Sequence, residues 1–217
     1  MKINRLALRL CMCALVLLRA LSLYADGKDS LSRKMIHMAG IDVKPAYVFP
    51  THEFFAGNNA TFSPIRKNLS VHLKYGFKFA PDTYFGRMYP HAVQGIGVGY
   101  NTFFHSSELG NPWSVYAFQT SRIASLTPRL SLDYEWNFGA SFGWKKYDAE
   151  SNPYNRVVGS KMNAYIHLSF LLNWQLDAQT NLRAGIGATH FSNGNTAYPN
   201  AGVNTLGASI GLTRYFG

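Results

Sequence analysis

The chain has 217 residues, 47% of them hydrophobic, 15% aromatic and 15% charged, with a formal net charge of +10. That apolar content excludes a disordered chain. The low charge, with 13 Tyr, 15 Phe and 19 Gly, argues against a soluble α/β enzyme and for a sheet that meets lipid on one face.

Residues 1–25 read as a secretory signal peptide and residues 26–217 as one mature domain. Lys2, Arg5 and Arg9 form a basic start, an apolar stretch runs to Leu23, and Ala25 is the cleavage position. Arg19 interrupts that stretch and leaves it short of the ~20 apolar residues that a spanning helix needs. Cleavage removes four basic residues and no acidic one, so the net charge falls from +10 to +6, which suits anionic lipid headgroups. Cys11 and Cys13 leave with the signal, so the mature chain has no disulfide, thiol nucleophile or Cys-bound metal. No basic helix, zinc finger or aromatic-rich RNA motif occurs, which argues against nucleic acid as a partner.

Residues 26–38 precede the first strand as a short periplasmic helix or a tail. From there the recurring pattern is period two. A weak strand at 41–50 is followed by a clear one in which Leu69, Val71, Leu73, Tyr75, Phe77 and Phe79 alternate with Ser70, His72, Lys74, Gly76 and Lys78. Weaker strands fall at 92–104 and 112–121. The longest run sets Leu130, Leu132, Tyr134, Trp136, Phe138, Ala140, Phe142 and Trp144 on one face and Ser131, Asp133, Glu135, Asn137, Gly139, Ser141 and Gly143 on the other. A strand of a soluble sandwich spans ~5–6 residues, so this run fits a tilted membrane crossing instead. Met162 to Trp174 repeats the pattern, as do Leu182 to Ala188 and Leu206 to Leu212.

These segments predict an all-β, eight-stranded antiparallel transmembrane barrel, closed so that no backbone edge faces a medium without water. Eight strands enclose side chains and no wide pore, which excludes a diffusion channel. The connections 51–66, 145–158 and 193–203 are long and those at 122–127 and 175–179 short, placing the long ones outside the cell and the termini in the periplasm; the long turn 80–91 is the exception. By parity His72, His167, Asp133, Glu135, Lys74 and Lys161 point inward as a hydrogen-bonded, ion-paired lumen, and His52, His91 and His105 lie in loops without metal spacing.

The seventh strand reaches the outer surface as Thr189-His190-Phe191-Ser192-Asn193-Gly194. His190 and Ser192 share the parity of Leu182 and Ile186, so both point toward lipid, ~6.6 Å apart at ~3.3 Å per residue. Asn204 shares the parity of Leu206 on the partner strand, whose cross-strand neighbours lie ~5 Å away. A hydroxyl, an imidazole and an amide thus converge where the wall should be apolar.

His190-Phe191-Ser192-Asn193 followed by Pro199-Asn200-x-Gly202 resembles the signature of the lipid A 3-O-deacylase family, PagL-like outer-membrane enzymes. The resemblance implies an eight-stranded barrel in the bacterial outer membrane with a serine esterase site on its exterior. It implies Ser192 as nucleophile, His190 as general base, Asn193 and Gly194 as oxyanion-binding residues, lipid A of the outer leaflet as substrate, and neither metal nor cofactor. The family's acidic residue falls on Asn204, which can orient an imidazole but offers it no charge. Arg66, Lys67, Lys145 and Lys146 are candidates to meet lipid A phosphates. The reaction class is hydrolysis of an ester-linked acyl chain, of the 3-O-deacylase or acyloxyacyl hydrolase type; the alternative is a non-catalytic small barrel with a structural or partner-binding role.

Overall fold

The computed structural model describes residues 35–217, so the signal peptide and residues 26–34 lie outside the described residues. The strands β1 (Met35–Val48), β2 (Lys67–Phe79), β3 (Val93–Thr102), β4 (Gly110–Ser125), β5 (Leu130–Trp144), β6 (Met162–Gln175), β7 (Thr180–Ser192) and β8 (Val203–Phe216) follow one another around a closed antiparallel barrel. Closure is made by β8 against β1, from His37↔Phe216 to Val48↔Thr205. Every strand thereby finds a partner on both sides, the condition for a sheet in hydrocarbon. The shortest strand has 10 residues, enough to cross a bilayer at a tilt.

Alternation decides what each face meets. Leu73, Ile96, Val115, Phe138, Leu168, Ile186 and Ile210 are exposed on the outside, while His72, Ser114, Glu135, Asn137, Ser169 and Arg183 are buried inside. Such an apolar exterior would be a liability in water and is the hydrophobic belt of a membrane barrel. Aromatic groups sit toward both rims: Tyr100 against Trp113 and Tyr47 against Phe49 at the outer end, and His37 between Tyr75 and Phe216 at the periplasmic end.

Four sequence expectations change. The first strand begins at Met35, not 41, because Met35–Met38 ladder onto Phe79–Gly76; residues 35–38 are therefore strand and not helix or tail. β4 runs on to Ser125, past the expected turn at 122–127, and the connection tightens to 126–129 with Leu126 N–H donating to the Leu130 carbonyl at 2.9 Å. Trp144 turns inward rather than outward. Gly143 takes φ +87, a conformation glycine adopts without steric cost, and the parity flips there so that Trp144 is buried and donates to Ser141 Oγ at 2.8 Å. Lys161 precedes β6 and is exposed instead of facing the lumen.

The rest of the lumen follows its pattern. Lys74 Nζ lies 2.5 Å from Asp42 Oδ2 and 2.9 Å from Glu135 Oε2, and Arg183 Nη2 lies 2.5 Å from the same Glu135 oxygen. Thr120 Oγ1 donates to Glu135 at 2.8 Å. One carboxylate from β5 thus ties together β2, β4 and β7. His72 bonds Tyr116 at 3.0 Å and Ser70 at 2.9 Å, filling the section above. At the outer end Phe54, Phe55, Phe103, Leu109, Trp144, Val157 and Phe191 form a buried apolar plug beneath the loops.

Removing one partner from a buried ionic cluster leaves the others charged and unpaired. Glu135→Leu is expected to lower the unfolding free energy of the barrel by about 3–5 kcal/mol, measured by urea unfolding from lipid vesicles; an unchanged midpoint would show that the cluster does not hold the strands together.

Candidate active site on the outer wall

Phe191 sets the rotation of the last turn of β7. Its ring is 2% exposed and packs inward, 5.1 Å from the Trp144 ring and 5.5 Å from Tyr165. Thr189 also points inward, to His167 Nδ1 at 2.8 Å. With both neighbours anchored in the lumen, His190 and Ser192 must stand on the lipid-facing side, where each is half-buried. In the ladder His190 faces Asn204 of β8 on one side and Ile166 of β6 on the other, and Ser192 faces Ala164.

His190 Nδ1 and Asn204 Oδ1 are 2.7 Å apart. An amide oxygen only accepts, so the proton of this bond belongs to Nδ1 and the lone pair of the neutral ring sits on Nε2, as a general base requires. Asn204 is itself held: its carbonyl accepts from the Phe49 N–H at 2.9 Å, where the chain leaves β1. Ser192 Oγ forms no hydrogen bond with His190 in this structure, although the two side chains flank one spot. That spot is over Gly202. A Cβ there would lie 3.2 Å from His190 Cε1 and 3.7 Å from Ser192 Cβ, and φ is +71. Only glycine offers both the left-handed backbone and the empty space.

The loop between β7 and β8 is built around the residues after Ser192. Asn193 O accepts from Thr196 N at 3.3 Å, closing a turn whose central residues, Gly194 (φ 62) and Asn195 (φ 61), both have positive φ, the signature of a type I′ turn. Asn193 N–H donates to Asn200 Oδ1 at 3.0 Å, and Asn193 Nδ2 donates to the Ala197 carbonyl at 2.8 Å. The backbone N–H and one amide N–H of Asn193 are therefore committed within the loop, whereas the N–H of the exposed Gly194 meets no acceptor among the described residues.

The basic candidates divide. Arg66 braces the first loop by donating to the Phe55 and Ile65 carbonyls, and Lys145 Nζ donates to the Ser107 carbonyl at 3.1 Å. Lys67 and Lys146 are exposed. Two supports escaped sequence reasoning. Gly202 N–H donates to the Val157 carbonyl at 3.3 Å, so the loop after β5 buttresses the one carrying the site, and Phe49, just past β1, holds Asn204. No spacing in a single sequence signals either contact.

A closed eight-stranded barrel with an apolar exterior, aromatic rims and a filled polar lumen is a bacterial outer-membrane β-barrel. Residues 94–213 match the family model described as lipid A 3-O-deacylase (PagL), more than half of the chain, including every strand from β4 to β7 and the whole of the site. The chain belongs to that family. No curated protein matches the chain. Among solved structures, the crystal structure of the outer membrane enzyme PagL superposes with a TM-score of 0.51 at 12% identity, covering 79% of this chain and 97% of that one. The crystal structure of Neisserial surface protein A superposes with a TM-score of 0.51 at 8% identity, covering 85% of this chain and 97% of that one. At such identities the likeness is one of fold, shared by an enzyme and a surface protein alike.

A non-glycine residue in the left-handed region costs about 1–3 kcal/mol. Gly202→Ala is expected to lower the stability of the folded barrel by about that amount in denaturant unfolding, with Ala201→Gly as the neighbouring control; equal stability for wild type and Gly202→Ala would show that the cradle is not tight.

Proposed function

We propose that the protein is a serine esterase that removes the 3-O-linked acyl chain of lipid A from within the outer leaflet, with Ser192 as nucleophile, His190 as general base and Asn204 as the residue that orients the ring. The observation carrying this reading is the 2.7 Å bond between His190 Nδ1 and Asn204 Oδ1 on the lipid-facing wall, two residues from Ser192. Family membership supplies the substrate class.

His190 Nε2 accepts the Ser192 proton as Oγ attacks the ester carbonyl carbon. The negative charge that develops on the carbonyl oxygen is met by the Gly194 N–H, with Asn193 holding the turn that presents it. Collapse of the tetrahedral adduct breaks the bond to the sugar oxygen, which takes the proton back from His190. A water molecule, deprotonated by the same ring, then releases the fatty acid and restores Ser192. The exposed apolar side chains of Ile166 and Leu206 flank the site on the same wall, so acyl chains can lie against them and the substrate approaches sideways from the bilayer.

Asn204 stands where a serine hydrolase commonly has a carboxylate. Replacing the carboxylate of a serine protease triad by an amide costs about 10⁴ in rate, because the imidazole is then held in the wrong tautomer. Here the amide oxygen faces Nδ1 and selects the productive tautomer, so the amide orients the ring without supplying charge.

Mass spectrometry of lipid A from cells expressing the protein tests the reading. Wild type is expected to yield a species lacking one 3-O-linked acyl chain, and Ser192→Ala and His190→Ala none. Asn204→Leu is expected to lose about 10²-fold or more of the rate, the usual scale of general-base assistance, while Asn204→Glu keeps or exceeds wild-type activity. Unaltered lipid A from a folded wild-type barrel would instead favour a non-catalytic envelope role.

A further inference from the structure

The periplasmic end of the barrel opens into a cavity of about 220 Å³, remote from the outer-wall site, whose lining includes Lys78, His91, Arg122, Asp133, Arg183 and Tyr215. Its charges do not balance. Arg183 shares Glu135 with Lys74 deeper in the lumen. Below that cluster Lys78 and Arg122 face a single carboxylate, Asp133, which is already occupied: it accepts from Ser131 Oγ at 2.8 Å and from Asn173 Nδ2 at 2.8 Å, with Arg122 Nε at 3.8 Å. Among the described residues Lys78 has no carboxylate within ion-pair distance; its ammonium lies over the Tyr215 ring, 4.7 Å from the centroid. Arg122 Nη1 reaches only Ser125 Oγ, at 3.4 Å. The His91 imidazole, in the periplasmic turn at the rim, is held below its ordinary pKa by partial desolvation and then by Arg122, with Asp133 opposing and Lys78 acting in the same direction as Arg122.

We propose that this cavity is an anion site, in which Lys78 and Arg122 grip the phosphate or carboxylate group of a small water-soluble periplasmic molecule. Excess positive charge inside low-dielectric walls concentrates anions at such a mouth. The guanidinium fork of Arg122 can donate two parallel hydrogen bonds to an oxyanion, and Lys78, two strands away around the wall, adds a point charge. At ~30 Å³ per water, the cavity holds an oxyanion with a short carbon chain or a few waters. The charged groups in its lining favour a polar anion over an acyl chain. Bound anion would stabilise the barrel by mass action, since the unfolded chain offers no such site.

The test uses the purified, folded, full-length mature protein in zwitterionic micelles, with thermal unfolding followed at constant ionic strength as chloride is replaced by inorganic phosphate or by succinate. A saturable rise in Tm is expected with at least one of them; phosphate alone identifies a phosphoryl group as the ligand chemistry and succinate alone a carboxylate. The rise should disappear in Lys78→Gln/Arg122→Gln and persist in Lys67→Gln/Lys146→Gln at the outer rim. Lys78→Glu supplies an internal carboxylate to Arg122; it is expected to fold and to be insensitive to either anion, which separates loss of the site from loss of the fold. In the single Arg122→Gln variant the apparent Kd should rise about tenfold, the scale of one charge-assisted hydrogen bond. No saturable rise in the wild type, or an undiminished one in Lys78→Glu, would overturn the proposal.

Discussion

A sheet in hydrocarbon must pair every backbone N–H and carbonyl within itself, and closure into a barrel is how this chain does so. Once β8 meets β1, each strand has a fixed rotation, and alternate residues are assigned irrevocably to lipid or to lumen. The ionic cluster around Glu135 exists because that face is sealed from water. The exposed Leu, Ile and Phe belt exists because the other face is sealed from it as well. His190, Ser192 and Asn204 stand together on the outside because Phe191 and Thr189 are committed to the inside.

That constraint gives the site an unusual setting. A general base normally works in a cleft that excludes water by closing over the substrate; in the proposed reading of this site the bilayer itself is the low-dielectric surrounding, and the protein contributes a flat wall. Precision must then come from supports behind and beside the wall. Phe191 supplies it from the lumen, Phe49 from just past β1, and Val157 through the loop after β5, while Gly202 leaves the space that the imidazole and the serine flank. The amide at Asn204 fits this arrangement: it places the proton on Nδ1 without putting a permanent charge on a surface that faces lipid. The reading of the wall as catalytic rests on that geometry together with membership of the deacylase family, since the barrel shape alone is shared with a surface protein.

Much of this was legible from alternation. The bounds of β5, the inward His72, His167 and Glu135, and the outward parity of His190, Ser192 and Asn204 all follow from a period of two. The breaks in that period were not. Trp144 crosses to the inside only because Gly143 adopts a positive φ, and a glycine in a strand pattern does not announce its conformation. The extension of β1 back to Met35 depends on pairing with Phe79 across the sheet, a contact made far along the chain. In the loop, the motif marked Asn193 and Gly194 as oxyanion donors; the Asn193 backbone N–H and one of its amide N–H groups are spent within the loop, while the Gly194 N–H meets no acceptor among the described residues. Local sequence names the residues of a loop; which donor stays uncommitted is settled by the folded backbone.

Whether Ser192 is a nucleophile activated by His190 and reached from the lipid phase is measured most directly by covalent trapping. A lipid-chain phosphonate that reacts only with activated serines is applied to the protein folded in vesicles and read by peptide mass spectrometry. One adduct is expected, on Ser192, formed in the wild type and absent in His190→Ala. An adduct elsewhere, none at all, or labelling of Ser192 that is indifferent to His190 would contradict that role.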